Sequence, residues 1–158
     1  MKIISKVMLG TVILALGACG SSSSGGNLSK VKGTWQPTSY SSKLDCGADG
    51  QFEDTTGSNV VWSMGVASDL VQSDPTTNCI INADLTGYTA SAVAGQSCTL
   101  HDTGSTIAIT LSAYTFSLSA DFQTATENGS GNAQVTFSDG TSASCSYNLS
   151  ASYHKVGT

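Results

Sequence analysis

Arginine is absent from this 158-residue chain, lysine occurs six times, and charged residues make up 11% of the total, against about 25% in typical domains. Beyond residue 18, four lysines stand against 11 acidic residues, which gives a net charge of −7. Phosphate binding depends on clustered lysine and arginine, so we expect no nucleic-acid partner. Serine, threonine, asparagine and glycine replace the missing charges, a composition typical of secreted β proteins.

Signatures of catalytic and metal sites are also scarce. The chain has no G-x-S-x-G elbow and no C-x-x-C pair, and its only histidines are His101 and His154. Asp102-Thr103-Gly104-Ser105 spells the D-T-G-S of aspartic proteases, but it reads equally as a hairpin turn, and we interpret it as a turn. The acidic segment 45–54 departs from the calcium-loop pattern. We therefore predict a protein that is not an enzyme, with neither a metal ion nor a cofactor.

The first 18 residues have the layout of a secretory signal peptide. Lys2 and Lys6 precede an apolar run from Val7 to Leu16, as in the basic and apolar regions of such signals. A helix needs about 20 apolar residues to span a bilayer, so this run is too short for a permanent anchor. We expect residues 1–18 to be removed.

Leu16-Gly17-Ala18-Cys19 resembles the lipobox of bacterial lipoproteins. The resemblance implies that the Cys19 thiol receives diacylglycerol and that a signal peptidase cuts between Ala18 and Cys19. Two fatty acyl chains give stable membrane anchoring, whereas one chain is marginal. Gly20, rather than aspartate, follows the cysteine, which in Gram-negative lipoproteins implies the outer membrane. The membrane is thus one expected partner, reached through the lipid anchor.

The part of the chain after the signal divides into a tether and one domain. Residues 19–30 comprise the lipidated cysteine and a Gly/Ser-rich segment, which predicts a flexible tether. Residues 31–158 have the length of a single domain with its own core.

Four further cysteines follow the tether in a chain that leaves the reducing cytosol: Cys46, Cys79, Cys98 and Cys145. An even number in an exported chain predicts two disulfides. Three pairings are possible. We favour Cys46 with Cys79 and Cys98 with Cys145, because this joins sequence neighbours and closes each half of the domain.

Apolar residues in the domain alternate with polar ones at period 2, whereas no segment shows a convincing helical period. The sets that share one parity are Val60, Trp62, Met64 and Val66; Cys79, Ile81, Ala83 and Leu85; Tyr88, Ala90, Ala92 and Ala94; Ile107, Ile109 and Leu111; Tyr114, Phe116 and Leu118; and Cys145, Tyr147, Leu149, Ala151 and Tyr153. This pattern predicts half-buried strands and an all-β fold.

Turn residues separate these strands, as at Thr86-Gly87, Asp102-Thr103-Gly104 and Asp139-Gly140. Between Leu111 and Tyr114 the apolar parity changes with no glycine or proline, which predicts a β-bulge or a tight turn. Gly129–Gly131 predicts a bend or bulge in a strand that begins near Thr124. We count eight to nine strands. Closure removes exposed edges, so we predict an antiparallel up-and-down barrel, with a β-sandwich as the alternative.

Lys32-Gly33-Thr34-Trp35 resembles the G-x-W opening of lipocalins and related calycins. In that family the tryptophan plugs the closed end of an eight-stranded barrel and an arginine from a late strand stacks on it. Gly33 and Trp35 match, but this chain has no arginine, so Lys155 is the remaining basic residue that could reach the ring.

Two functions remain for such a domain. A calycin-like binder would enclose a small apolar ligand, with a cavity that we predict to be lined by Trp35, Trp62, Tyr114 and Phe116. A structural or adhesive surface module would instead have a packed interior without a cavity, and its Ser/Thr-rich, acidic exterior would contact an envelope protein. Period-2 alternation does not separate them, because a filled small barrel and a hollow one share it.

Overall fold

The computed structural model describes residues 25–77 and 79–158. The predicted signal peptide and Cys19 lie outside the described residues. The described residues form one short α-helix, one turn of 3-10 helix at Gly47–Asp49 and ten strands. In chain order the α-helix and the strands are α1 Gly25–Val31, β1 Gly33–Asp45, β2 Gln51–Asp54, β3 Val60–Met64, β4 Leu70–Asp74, β5 Cys79–Thr86, β6 Thr89–Ala92, β7 Ser97–Asp102, β8 Ser105–Leu118, β9 Thr124–Phe137 and β10 Ser142–Gly157. In this part of the chain, no helix is long and apolar enough to cross a membrane.

The strands form one closed antiparallel barrel, which confirms the predicted all-β fold and up-and-down topology. The strands β3 to β6 and β7 to β10 pair in chain order, and β10 returns to pair with β1. Both β2 and β3 pair with β1, one with each end of that long strand. In the same way β6 and β7 both pair with β8. Ten strand segments therefore occupy eight barrel positions.

The bulge predicted from the parity change is present. Ile107 to Leu118 belongs to a single strand, β8, whose register with β9 shifts between Leu111 and Ala113. Opposite this shift, β9 continues through Gly129–Gly131 in one register with β10, so the bulge lies in β8 and not at these glycines. Glycine is required at 131 for another reason: a Cβ atom would lie 2.1 Å from the Thr110 carbonyl oxygen, closer than any side chain tolerates.

Inward and outward residues alternate as the sequence predicts, although some strand ends differ. Ile81, Ala83 and Leu85 are buried in β5 while the residues between them are exposed. Three residues that parity assigned to strands lie just outside them, in the loops and turns that connect neighbouring strands: Val66, Tyr88 and Ala94. Asp102-Thr103-Gly104-Ser105 forms the β7–β8 hairpin turn, with Gly104 at a φ of 86°.

The barrel has a closed end, which α1 covers. Val31 is fully buried there, and the Asn27 side-chain amide donates a hydrogen bond to the Gly87 carbonyl at 3.0 Å. The segment predicted as a flexible tether through residue 30 is therefore helical from Gly25. Burial of Val31, with Leu28 packed against the core, stabilises a helix that Gly/Ser composition alone would not form.

Two disulfides are present as predicted, but the favoured pairing is wrong. Cys46 bonds Cys145, and Cys79 bonds Cys98. The reason is barrel closure: β1 lies beside β10 with Asp45 opposite Ser146, so Cys46 meets a cysteine that follows it by 99 residues. Proximity in sequence had favoured bridges within each half, whereas this bridge fastens the first strand to the last.

Candidate binding cavity

Three of the four predicted cavity residues form a packed aromatic cluster near the closed end. Trp35, Trp62 and Phe116 are each at most 1% exposed. The Phe116 ring lies 5.3 Å from Trp35, edge to face, and 5.1 Å from Trp62 between ring centroids, within the range of favourable aromatic pairs. These three side chains fill the barrel at this end, and Tyr114 is the member of the predicted set that lines the inner cavity described next.

Trp35 is fully buried at the end of the barrel that α1 covers. Its indole nitrogen donates to the Val31 carbonyl at 2.9 Å. The Lys155 ammonium lies 5.5 Å from the centre of the ring and donates to the Lys30 carbonyl at 2.6 Å. Burial lowers the pKa of Lys155. Gly33, two residues before Trp35, has a φ of 126°, and a Cβ there would lie 2.0 Å from the Gly157 carbonyl oxygen, so a larger residue would not fit.

Next to this aromatic cluster, inside the barrel, lies an inner cavity of about 90 Å³. Its wall combines aliphatic residues with a band of polar and aromatic ones. The aliphatic wall residues are Val60, Ile81, Leu100, Ile109, Leu111 and Leu149, and the polar and aromatic ones include Gln72, Glu127, Tyr40, Tyr114, Tyr147 and Tyr153.

Glu127 is the principal polar group of the inner cavity and is 3% exposed. Its Oε1 accepts hydrogen bonds from the Tyr114 hydroxyl and from the Gln72 side-chain amide, the latter at 3.0 Å. Its Oε2 accepts one from the Tyr153 hydroxyl at 2.6 Å. All three donors are neutral, so they satisfy the carboxylate by hydrogen bonding and supply no opposite charge.

The register of the barrel explains this position. Glu127 is the cross-strand partner of Phe116 on one side and Ala151 on the other, so its side chain points inward with theirs. Gln72 reaches the cavity in the same way, as the inward partner of Trp62 and Ile81. Both polar residues therefore lie on the face that the apolar parity marks as interior.

The cavity tyrosines keep their protons well above neutral pH. Burial, followed by the charge of Glu127, raises the pKa of Tyr114 and of Tyr153 well above the usual value. Burial also raises the pKa of Tyr147, and it raises the pKa of Tyr40 to about 12. These hydroxyls consequently remain hydrogen-bond donors to the carboxylate.

At the end opposite α1 the inner cavity adjoins a wider space of about 670 Å³, which we call the mouth. Residues common to the two spaces form the passage: Tyr40, Ser58, Asp74, Thr77, Leu100, Ile109 and Tyr147. Among the described residues the lining of the mouth contains no lysine or arginine and contains four carboxylates: Glu53, Asp54, Asp74 and Asp102.

Side-chain hydrogen bonds in local turns fix the backbone around the mouth, and one disulfide does so beside the inner cavity. Asp74 accepts from the Thr76 amide at 2.8 Å and from the Ser58 hydroxyl at 2.9 Å, a short-range pattern that fixes the β4–β5 turn. Asp54 accepts from the Thr56 amide at 2.8 Å in the same manner. The Cys79–Cys98 bridge lines the inner cavity and ties β5 to β7.

Sequence reasoning missed Glu127, although a signal for it exists. In β9 the buried positions Ala125, Ala133 and Val135 share the parity of Glu127, and a carboxylate at an interior parity marks a special site.

Among the described residues, no group of three or more histidine, cysteine or acidic side chains could hold a metal ion. Comparisons with family models, curated proteins and solved structures found no match for this chain.

Proposed function

We propose that this chain is a lipid-anchored envelope lipoprotein whose barrel binds a small ligand without catalysis. Two adjoining spaces, the mouth and the inner cavity that Glu127 lines, support binding, since seven residues line both. Typical ligand sites are about 300–1,000 Å³ and largely apolar with a few placed polar groups, and the mouth, at about 670 Å³, lies in that range. A structural or adhesive module with a packed interior is the alternative, and this cavity favours the binder.

The chemistry of the cavity supports binding over catalysis. The tyrosine hydroxyls have raised pKa values and stay protonated near neutral pH, so they are poor nucleophiles. Glu127 already accepts three hydrogen bonds. The apolar wall suits the hydrocarbon part of a ligand, and the polar band at the floor suits one polar head group.

The direction of the barrel supports an anchor at Cys19. The chain enters through α1 at the closed end, and Cys19 precedes α1 by six residues. A lipid on Cys19 would therefore hold the closed end toward the membrane and leave the mouth directed away from it. The resemblance at residues 16–19 implies the outer membrane for this anchor.

Replacing Cys19 with alanine should abolish lipid attachment and leave an uncut precursor, because the lipobox chemistry acts on that thiol. Cells fed a radioactive fatty acid would report attachment on a gel, and Ser21→Ala, which leaves the lipobox intact, is the control. Wild-type labelling of the Cys19→Ala chain would contradict the anchor.

Ligand binding can be tested with hexanol, hexylammonium and hexanoate, which share a six-carbon chain and differ in the head group. At least one of the three should bind the full chain, held in phosphatidylcholine nanodiscs, with saturable heat in calorimetry against empty nanodiscs. Ser58→Phe fills the passage and should weaken that binding at least about tenfold.

Ser91→Phe is the matched control, because Ser91 is exposed in β6 and does not line the cavity. It should leave the affinity unchanged. If none of the three probes binds, or if Ser58→Phe binds as well as the wild type, the proposed function is wrong.

A further inference from the structure

In the part of the chain that the structure describes, the carboxylates that line the inner cavity and the mouth are not matched by any lysine or arginine in the same linings. Glu127 lines the inner cavity, and Asp54, Asp74 and Asp102 line the mouth. Glu53 at the rim is paired with Lys43 at 3.4 Å, and Lys43 itself lies outside the lining of both spaces. A cleft with low-dielectric walls and charges of one sign concentrates counter-ions of the other sign.

Glu127 also has a hydrogen-bond acceptor position that its three partners leave unused. A carboxylate offers about four acceptor positions, and three are used: two on Oε1 and one on Oε2. The fourth belongs to Oε2, and Glu127 contributes to the wall of the inner cavity. The Tyr114 and Tyr153 hydroxyls, which donate to Glu127, each keep oxygen lone pairs as further acceptors.

The walls around this carboxylate are aromatic. Tyr40, Tyr147 and Tyr153 line the inner cavity with Tyr114, and a cation placed over the face of a neutral phenol ring is attracted to it. Glu127 is therefore a buried carboxyl group whose three hydrogen-bond partners are all neutral, and the groups around it favour a positively charged ligand. Buried charges are stabilised when they are paired.

From this arrangement we propose that the ligand carries a positively charged amine, bound by Glu127 at the floor of the inner cavity, with its apolar part in the passage and mouth. The proposal rests on the proposed binding function and specifies the class of ligand. An inner cavity of about 90 Å³ has room for about three water molecules, which matches an ammonium head with its first carbons.

The three six-carbon probes test the proposal directly. Hexylammonium should bind the wild-type chain at least about tenfold more tightly than hexanol, since a hydrogen bond to a charged group is stronger than a neutral one. Hexanoate should bind more weakly still, because the acidic mouth repels it. Added salt should weaken the binding of hexylammonium more than that of hexanol.

Glu127→Gln should remove the preference for hexylammonium while the affinity for hexanol stays within about twofold. Asp84→Asn removes one charge from the exposed outer face of β5 and should leave the preference intact. The wild-type ranking decides the proposal even if Glu127→Gln fails to fold.

The outcomes separate the two claims. If hexanol or hexanoate binds the wild-type chain as tightly as hexylammonium, the amine proposal is wrong and the binding function stands. If no probe binds, the binding function fails with it. Retention of the preference in folded Glu127→Gln would show that Glu127 is not the amine site.

Discussion

Replacing Trp35 with alanine should lower the free energy of unfolding by about 3–5 kcal/mol, the usual cost of removing a large buried aromatic. Trp35 is fully buried, packs edge to face on Phe116, and holds the end of α1 through its hydrogen bond to Val31. Alanine would leave a cavity at the closed end and remove that hydrogen bond. It would also remove the ring beneath the Lys155 ammonium.

Chemical denaturation of the full chain followed by circular dichroism would measure the change. Phe52→Ala is the matched control, because Phe52 is 48% exposed at the mouth and exposed substitutions usually stay within about 0.5 kcal/mol. A loss below about 1 kcal/mol for Trp35→Ala would show that Trp35 is not the plug of the closed end, and the calycin resemblance would then have no support.

Removal of the Cys46–Cys145 bridge should be the most destabilising change to the disulfides. The two cysteines are 99 residues apart, against 19 for Cys79 and Cys98. In the chain-entropy model, closing the longer loop stabilises the fold by about 5 kcal/mol and closing the shorter one by about 3 kcal/mol. The longer bridge also fastens the strand pair that closes the barrel, β1 with β10.

The double variants Cys46→Ala/Cys145→Ala and Cys79→Ala/Cys98→Ala test this order, each serving as the control for the other. Denaturation midpoints would show the difference, and peptide mapping of the unreduced wild-type protein would identify the bridges. A larger loss from the shorter bridge, or a Cys46–Cys79 peptide, would contradict the closure described above.

Much of the barrel could be predicted because the facing of each strand, the bulge and the turns depend on residues that are close together in the sequence. Alternation at period 2 follows from strand geometry, so the interior faces of β5, β8 and β10 could be identified residue by residue. The parity change after Leu111 marked the bulge in β8, since only an inserted residue reverses the facing of a continuous strand. Glycines with positive φ, such as Gly104 and Gly140, marked hairpin turns.

The disulfide pairing could not be predicted because it depends on which strands meet when the barrel closes. Cys46 and Cys145 are brought together by the β1–β10 pairing, a contact between the two ends of the domain. The sequence pointed to Cys46 with Cys79 because that pairing joins neighbouring cysteines and closes each half of the domain separately. Closure of the sheet outweighs that preference.

The lining of the cavity was predicted in part. Of the four residues named from the sequence, Tyr114 lines the inner cavity. Strand parity does not give depth along the barrel axis, so Trp35, Trp62 and Phe116 were assigned to the wall, whereas they pack together near the end that α1 covers. Glu127 was missed because a bend or bulge was expected at Gly129–Gly131, and parity cannot be carried across a bulge. Its partners lie on other strands, at Gln72, Tyr114 and Tyr153.

The most direct test of binding inside the barrel is a nuclear Overhauser measurement between hexylammonium and isoleucine methyl groups of the full chain in nanodiscs. Ile80 and Ile81 are adjacent in β5 and face opposite sides: Ile81 lines the cavity, whereas Ile80 is 57% exposed. A ligand in the cavity should give contacts to Ile81 and Ile109 and none to Ile80. Contacts to Ile80 without contacts to Ile81 and Ile109 would contradict a ligand site within the barrel.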